Sequence, residues 1–203
     1  MGLLPDDRKL LEARMKAEGR LPPHQVATLK WPVLHLGGVP GFDPKSWELR
    51  TTGWVRTPLR LTWAGLEALP RKQVTADFHC VTRWSRFDNH WEGVSFRVIA
   101  DLTGPLSSAT HVLVGCEGDY STNLPLPDLL EDSVLLADRH DGEPLAPEHG
   151  GPLRLVVPKL YGWKSAKWVR TFDFLPDDQP GYWERNGYHR YGDPWKEQRF
   201  DTD

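Results

Sequence analysis

The sequence predicts an α+β fold with mixed β-sheets, short helices and long loops. Three observations predict it. Strand-like segments outnumber helix-like ones. Strands nowhere alternate with long helices, as a doubly wound parallel sheet would require. The tail from Pro176 to Asp203, rich in Pro, Gly, Trp and Tyr, shows no long helical period.

Each element has its own local reason. Residues 6–18 read as one polar helix, with Asp6 as its cap, Leu10, Leu11 and Met15 as a narrow apolar stripe and Gly19 as its stop. Leu21-Pro22-Pro23-His24 is a rigid linker, so residues 1–30 form an N-terminal helix and linker and residues 31–203 the main domain. A Pro/Gly-rich loop covers 37–44. Trp47 with Leu49, and Trp54 with Val55 after Gly53, read as two short strands. Thr62 caps a short helix from Trp63 to Leu69, ended by Pro70. Gln73 to Thr82 alternates enough for a strand ending near Cys80, and His111 to Cys116 is a clear strand. Glu117-Gly118-Asp119 turns it into Tyr120 to Leu124, and Leu126 to Asp132 is a short helix or turn. Leu153–Val157 and Lys167–Phe174 form a second β-rich block. The tail from Pro176 has no long helical period. No internal repeat or low-complexity tract is found.

Composition limits the function. Apolar residues make up 39%, charged residues 26%, and mean hydropathy is −0.53. No apolar run approaches the ~20 residues that span a bilayer. The start Met1-Gly2-Leu3-Leu4 carries neither an export signal nor a twin-arginine pair, so a cytoplasmic protein is expected. A net charge of −3 disfavours nucleic acid as a partner. Two cysteines, Cys80 and Cys116, cannot form a four-cysteine zinc site, and both are expected as thiols. Ten Trp fit either an aromatic core or the walls of a ligand cavity.

Two regions carry candidate chemistry. Cys80 lies in Asp77-Phe78-His79-Cys80-Val81-Thr82-Arg83-Trp84-Ser85-Arg86, where neighbouring arginines would favour a thiolate. A small core cysteine is the competing reading. His79 and Cys80, adjacent on a strand, point to opposite faces and do not share a metal. The second region, 149–168, sets His149, Arg154, Lys164 and Lys167 among glycines and Ser165. Cations beside glycines suit one phosphate group and a heterocycle. A solvated basic loop is the alternative.

Together the two regions resemble the molybdenum domain of the sulfite oxidase family. Gly151-Pro152-Leu153-Arg154-Leu155-Val156-Val157-Pro158, then Tyr161-Gly162 and Lys164-Ser165-Ala166-Lys167-Trp168, are similar to its pterin-binding signature. Cys80-Val81, Trp84-Ser85 and Trp91-x-Gly93 resemble the version in bacterial protein-methionine-sulfoxide reductase catalytic subunits and their cytosolic sulfite-oxidase-like relatives. The resemblance covers residues 31 to 195. It implies a sulfite-oxidase-type molybdopterin-binding fold and a molybdenum atom held by one pyranopterin dithiolene, without an added nucleotide, and by one thiolate, matched by Cys80. Molybdenum prefers a soft, charged sulfur donor. His149, Arg154 and Lys167 match positions that contact the pterin or its phosphate. Lys164 and Ser165 stand with them, His35 matches more loosely, and Trp84 and Trp163 would wall the pterin. Tyr188 matches an active-site tyrosine.

The departures concern substrate. Animal and plant sulfite oxidases carry an Arg before the Gly/Pro loop and another five residues after the ligating Cys. Here Ser85 holds the second place, and Leu34 or Pro32 the first. Arg83 and Arg86 flank it and are the candidate substrate cations, with Tyr188 as hydrogen-bond donor. No exported leader, immunoglobulin-like domain or haem domain is read. The implied activity is oxygen-atom transfer to or from a small S-oxide, N-oxide or sulfite, with electrons from a separate haem- or quinone-linked partner. The alternative is a molybdopterin-binding module or carrier without catalysis.

Overall fold

The computed structural model describes residues 5–202, with side chains from Asp7 to Thr202. In chain order the elements are α1 (Pro5–Ala17), β1 (Val26–Ala27), β2 (Glu48–Gly53), β3 (Arg60–Thr62), α2 (Trp63–Glu67), β4 (Arg71–Cys80), β5 (Trp84–Ser95) and α3 (Phe96–Thr103). They continue with β6 (His111–Cys116), β7 (Ser121–Pro125), α4 (Leu126–Leu129), β8 (Leu135–His140), β9 (Glu143–Pro144), β10 (Arg154–Val156), β11 (Val169–Leu175) and α5 (Tyr182–Arg185). Two sheets with few, short helices make this an α+β fold, and none of the described helices is long and apolar enough to cross a membrane.

The first sheet is built on β5. Strand β4 pairs with it along most of its length, antiparallel, from Arg71↔Val94 to Cys80↔Trp84. On the other edge β1 joins its start in parallel, at Val26↔Trp84, and β8 joins its end. Strand β8 then pairs with β9 and β10. The second sheet runs β3-β2-β11-β6-β7. Its β2–β11 pair is parallel and its other pairs are antiparallel. One apolar cluster joins the two: Val94, Leu136 and Leu155 from the first sheet, Val112, Phe172 and Phe174 from the second, and Phe96 and Ile99 of α3. Phe96 meets Phe172 edge to face at 5.1 Å, a favoured aromatic geometry.

Several expected elements differ in extent. The short strand at Trp54–Val55 is absent, and Val55 makes only an isolated bridge to Pro105. The cause is Gly53, with φ +80 and so close to Phe174 that a Cβ would fall 2.1 Å from its carbonyl oxygen. The strand bends out there. Helix α2 stops at Glu67, and Thr62 Oγ1 accepts the Gly65 N–H at 3.2 Å, as a capping threonine should. Strand β4 ends at Cys80, as expected, and starts at Arg71, two residues before the expected Gln73. Elements β5, α3 and β8 had no clear expectation. In β5 the buried alternate positions are Ser85, Phe87, Asn89 and Trp91. Two of these are polar, which hides the period-two pattern. Both find partners, Ser85 with His79 at 2.8 Å and Asn89 with the Ala76 carbonyl at 3.1 Å.

Residues before Trp31 are bonded to this frame. Met15 is fully buried against Leu21, Ala27 and Phe87. Arg20 reaches Asp77 and Asp88, each at 2.6 Å, and so ties the arm to the β4–β5 hairpin. The capping role expected of Asp6 lies outside the described side chains. Because Met15 is the main anchor of α1, Met15→Ala should lower stability by about 2–5 kcal/mol. Urea denaturation measures this. A loss under about 0.5 kcal/mol, the usual surface value, would mean that α1 does not contribute its packing to the fold.

Candidate active site

The β4–β5 hairpin tip, the 31–40 loop, the β6–β7 turn, residues 162–168 and the tail near Tyr188 enclose one cavity of about 560 Å³. Cys80 lines it from the last position of β4. Residues 81–83 must reverse the chain into β5, and the Arg83 N–H closes the turn on the Cys80 carbonyl at 3.0 Å. Arg83 takes φ +69 to do so, an uncommon conformation for a residue with a side chain. Cys80 is 9% exposed, and its sulfur lies 3.1 Å from Thr82 Oγ1. Burial pushes the Cys80 thiol up, and the Thr82 hydrogen bonds and the charges of Arg154 and Arg199 pull it back.

Arg154 lines the same cavity from the start of β10 and is 3% exposed. Its guanidinium sits 4.9 Å above the Phe78 ring and within 5.8 Å of Trp31 and Trp91. One nitrogen donates to the His149 carbonyl at 2.9 Å. Nε has no partner, and among the described residues no carboxylate pairs with it. Burial lowers its pKa to about 10. Lys167 also lines the cavity, donating to the Leu34 and Glu148 carbonyls at 2.8 and 2.6 Å. Burial first, then the charge of Arg154, lowers it to about 7. A Cβ on Gly150 would fall 3.0 Å from the Lys167 side chain, at φ +110. Glycine there makes room for Lys167.

The structure separates the other expected residues. Tyr188, Trp84, His35 and Ser165 join Cys80, Arg154 and Lys167 at the cavity. Tyr188 is held between Trp183, stacked at 4.9 Å, and Trp163, edge-on at 5.1 Å. Burial and then the Cys80 charge push its phenol up. Trp84 stacks on Phe78 at 5.7 Å. His35 Nδ1 is 3.0 Å from the Gly37 carbonyl, and Ser165 Oγ accepts the Val157 N–H at 2.9 Å.

Four residues stand elsewhere. Lys164 is fully buried, 2.6 Å from Glu184, and donates to Asn123 and to the Arg190 carbonyl. Its charge is answered within the fold, and it does not line the cavity. Arg83 is exposed at the hairpin tip, outside the cavity wall. Arg86 points away into a network with Asn89, His140 and Asp141. His149 lies behind the wall, stacked on Trp31 at 3.8 Å. Cys116 is a free thiol outside the cavity, and burial pushes it up. Sequence reasoning did not single out Thr82, Phe78, Trp31 or Trp183 as site residues. Only the position of Thr82, two residues after Cys80, offered a signal.

These residues fit a metal that arrives with its own ligands. Among the described residues no group of three or more His, Cys, Asp or Glu could hold one, and Cys80 would offer it a single soft donor. The buried, orphaned Arg154 Nε asks for an anion, because a buried cation without one is costly. A dithiolene chelate with a phosphate answers both demands.

The state of His149 can be tested. Burial first, then Lys167 and Arg154, lower it from 6.5 to about 4. Between those values the unfolded chain binds a proton that the fold refuses. The contribution is therefore complete above pH 6.5 and is lost as pH falls to 4. Thermal melts from pH 7 to 4 should show a shallower acid loss in His149→Gln than in the parent. Equal slopes would remove His149 from the acid response.

The oxidoreductase molybdopterin binding domain family matches residues 36–183. An "Uncharacterized oxidoreductase YuiH" of Bacillus subtilis is 50% identical over 91% of this chain and 94% of its own length. The protein-methionine-sulfoxide reductase catalytic subunit MsrP of Gluconobacter oxydans is 31% identical over 74% of this chain and 54% of its own. Sulfite oxidase of Gallus gallus is 30% identical over 74% of this chain and 39% of its own. The chain thus spans nearly all of the first relative and about half or less of the other two. The solved sulfane dehydrogenase SoxCD from Paracoccus pantotrophus superposes with a TM-score of 0.66 at 24% identity, over 75% of this chain and 43% of that one, which shows a shared fold. With that match across most of its length, around a cavity walled by Cys80, Arg154 and Lys167, the chain belongs to the molybdopterin-binding oxidoreductase domain family.

Proposed function

We propose that the chain is a molybdenum–pterin oxidoreductase that moves an oxygen atom to or from a small, uncharged S-oxide or N-oxide, with residues 31–203 as the catalytic domain and 1–30 as its accessory helix and linker. One observation carries the reading. Cys80, the orphaned Arg154 guanidinium, Lys167 and the Tyr188 ring all line one cavity. Cys80 would hold the metal as a thiolate. Arg154 and Lys167 would hold the pterin phosphate, with no added nucleotide. His35, Trp84, Trp163 and Ser165 would border the ring system. Bound molybdenum supplies the two-electron redox chemistry, and the protein supplies binding, orientation and electrostatics.

Tyr188 would donate a hydrogen bond from its hydroxyl to the substrate oxygen, and the rings of Trp163 and Trp183 fix its direction. Trp31, Trp163 and Trp183 exclude water from the reacting atoms. Reduction of an S-oxide takes up two electrons and two protons and releases the sulfide and water. Charge argues against sulfite as the preferred substrate. Arg154 and Lys167 are committed to the phosphate, and Arg83 and Arg86 lie outside the cavity wall. Glu117 and Asp119 line the cavity instead, and a small dianion wants a dedicated cationic clamp. A separate haem- or quinone-linked protein would exchange the electrons, which the naming of one relative as a catalytic subunit supports. A reducing cytoplasm suits the two free thiols.

Cys80→Ser should lose molybdenum, measured by elemental analysis, while keeping its circular dichroism. A variant that retains metal and turnover would refute the ligand assignment. Arg154→Ala should lower pterin content per chain, measured by fluorescence of the released pterin, and full occupancy would count against the phosphate site. Tyr188→Phe should keep the metal and slow viologen-driven oxide reduction about 100-fold. An unchanged rate would reduce Tyr188 to packing. Fully loaded protein without turnover on any S-oxide, N-oxide or sulfite would identify a carrier.

A further inference from the structure

Two buried polar side chains from opposite ends of the sequence converge on the turn after Cys80. Gln25 Nε2 donates to the Cys80 carbonyl at 3.1 Å. Arg199 Nη1 donates to the Val81 carbonyl at 2.6 Å. Each is 4% exposed, and both lie outside residues 36–183 matched by the family. The arm carrying Gln25 crosses the turn, with the Val26 N–H on the Arg83 carbonyl at 3.0 Å. His24 Nδ1 lies 2.6 Å from Glu197 Oε1, which joins arm to tail.

Strain gathers at the same place. Of the six non-glycine residues described with positive φ, three are His24, Arg83 and Glu197. Such conformations persist only where the surroundings impose them, and they cluster at working sites. The tail also carries Tyr188. The His189 N–H bonds the Arg199 carbonyl at 3.1 Å, the Asp201 N–H bonds the Gly187 carbonyl at 3.0 Å, and Tyr188 bridges Phe200. One hairpin thus holds Tyr188 on one side and, on the other, the arginine that grips Val81.

We infer that Gln25 and Arg199 are positioning residues that lock the Cys80 turn and, through the tail hairpin, set the sulfur in register with the Tyr188 hydroxyl. The inference rests on the reading of Cys80 as the metal ligand. Neither side chain is required to touch substrate. Their work is geometric, and small misplacements of a reacting group cost rate out of proportion to stability.

The test uses Gln25→Met, which keeps chain length and removes the donor, together with Arg199→Gln and its conservative counterpart Arg199→Lys. In cofactor-free protein, hydrogen exchange of the 81–85 amides should accelerate severalfold in Gln25→Met and Arg199→Gln. In loaded protein, kcat for S-oxide reduction should fall about tenfold or more at unchanged KM, with a shifted metal reduction potential, and Arg199→Lys should recover part of both. Exchange, potential and kcat all at parent values, beside a Cys80→Ser control that has lost its metal, would overturn the inference. A Cys80→Ser protein that keeps its metal would instead overturn the ligand reading and, with it, this inference. Should Arg199→Gln fail to fold, Gln25→Met decides alone.

Discussion

A guanidinium buried in a ring of aromatic side chains beside a buried thiol is the constraint around which the rest of the molecule is arranged. Arg154 sits over Phe78, Trp31 and Trp91 with one nitrogen unpartnered and, among the described residues, no carboxylate paired with it. Cation–π contacts soften the desolvation of such a charge and do not replace a counter-ion. Lys167, whose tendency to stay charged is lowered by burial and then by Arg154, adds to the deficit. The fold thus leaves two cations and a sulfur lining one cavity, an arrangement that carries a desolvation cost until an anion joins it. Phe78 is itself fixed by Gly162, where a Cβ would fall 2.3 Å from its ring. The stretch containing Lys164 to Trp168 therefore touches the site both through its charges and through the space it leaves.

Lys164 shows the opposite use of the same chemistry. It stands three residues before Lys167, yet its ammonium is enclosed by Glu184, Asn123 and the Arg190 carbonyl. Glu184 also accepts from Trp163 Nε1 at 2.9 Å and from Thr122 Oγ1 at 3.0 Å. This buried pair fastens β7, the cavity stretch and α5 together. Removing one partner of such a pair is far costlier than the pair's own net contribution, because the other charge is left stranded. Its evident work is to hold Trp163, and so one flank of Tyr188, in place. Lys164 is answered by Glu184 within the fold, whereas Arg154, which no carboxylate answers among the described residues, faces the cavity.

The distinction explains how much of the site was legible in sequence. Cys80, Arg154, Lys167 and Tyr188 were named from residue type, order and resemblance, and all four line the cavity. Arg83, Arg86, Lys164 and His149 were named on the same grounds and do not. Each was a cation or imidazole close in sequence to a residue that faces inward. Proximity along the chain says nothing about which way a side chain leaves a tight turn. Arg83 takes a left-handed conformation that turns it outward, and Arg86 meets Asp141, 55 positions away in the chain. Strand β5 escaped notice for a related reason: its buried Ser85 and Asn89 read as surface residues until His79 and the Ala76 carbonyl are seen to satisfy them.

Residue order by itself indicated the α+β class and the basic stretch, because these follow from local periodicity and composition, and the motifs around Cys80 and 149–168 carried a resemblance that implied a sulfur donor and the kind of group beside it. Tertiary structure alone decided which cations remain unanswered. That choice depends on partners such as Glu184 and Asp141, distant in sequence and near in space, and on a turn whose backbone is held by Gln25 and Arg199 from the two ends of the chain. Electrostatic free energy in a protein interior is set by what lies within a few ångströms, and that neighbourhood exists only once the two sheets have closed on one another.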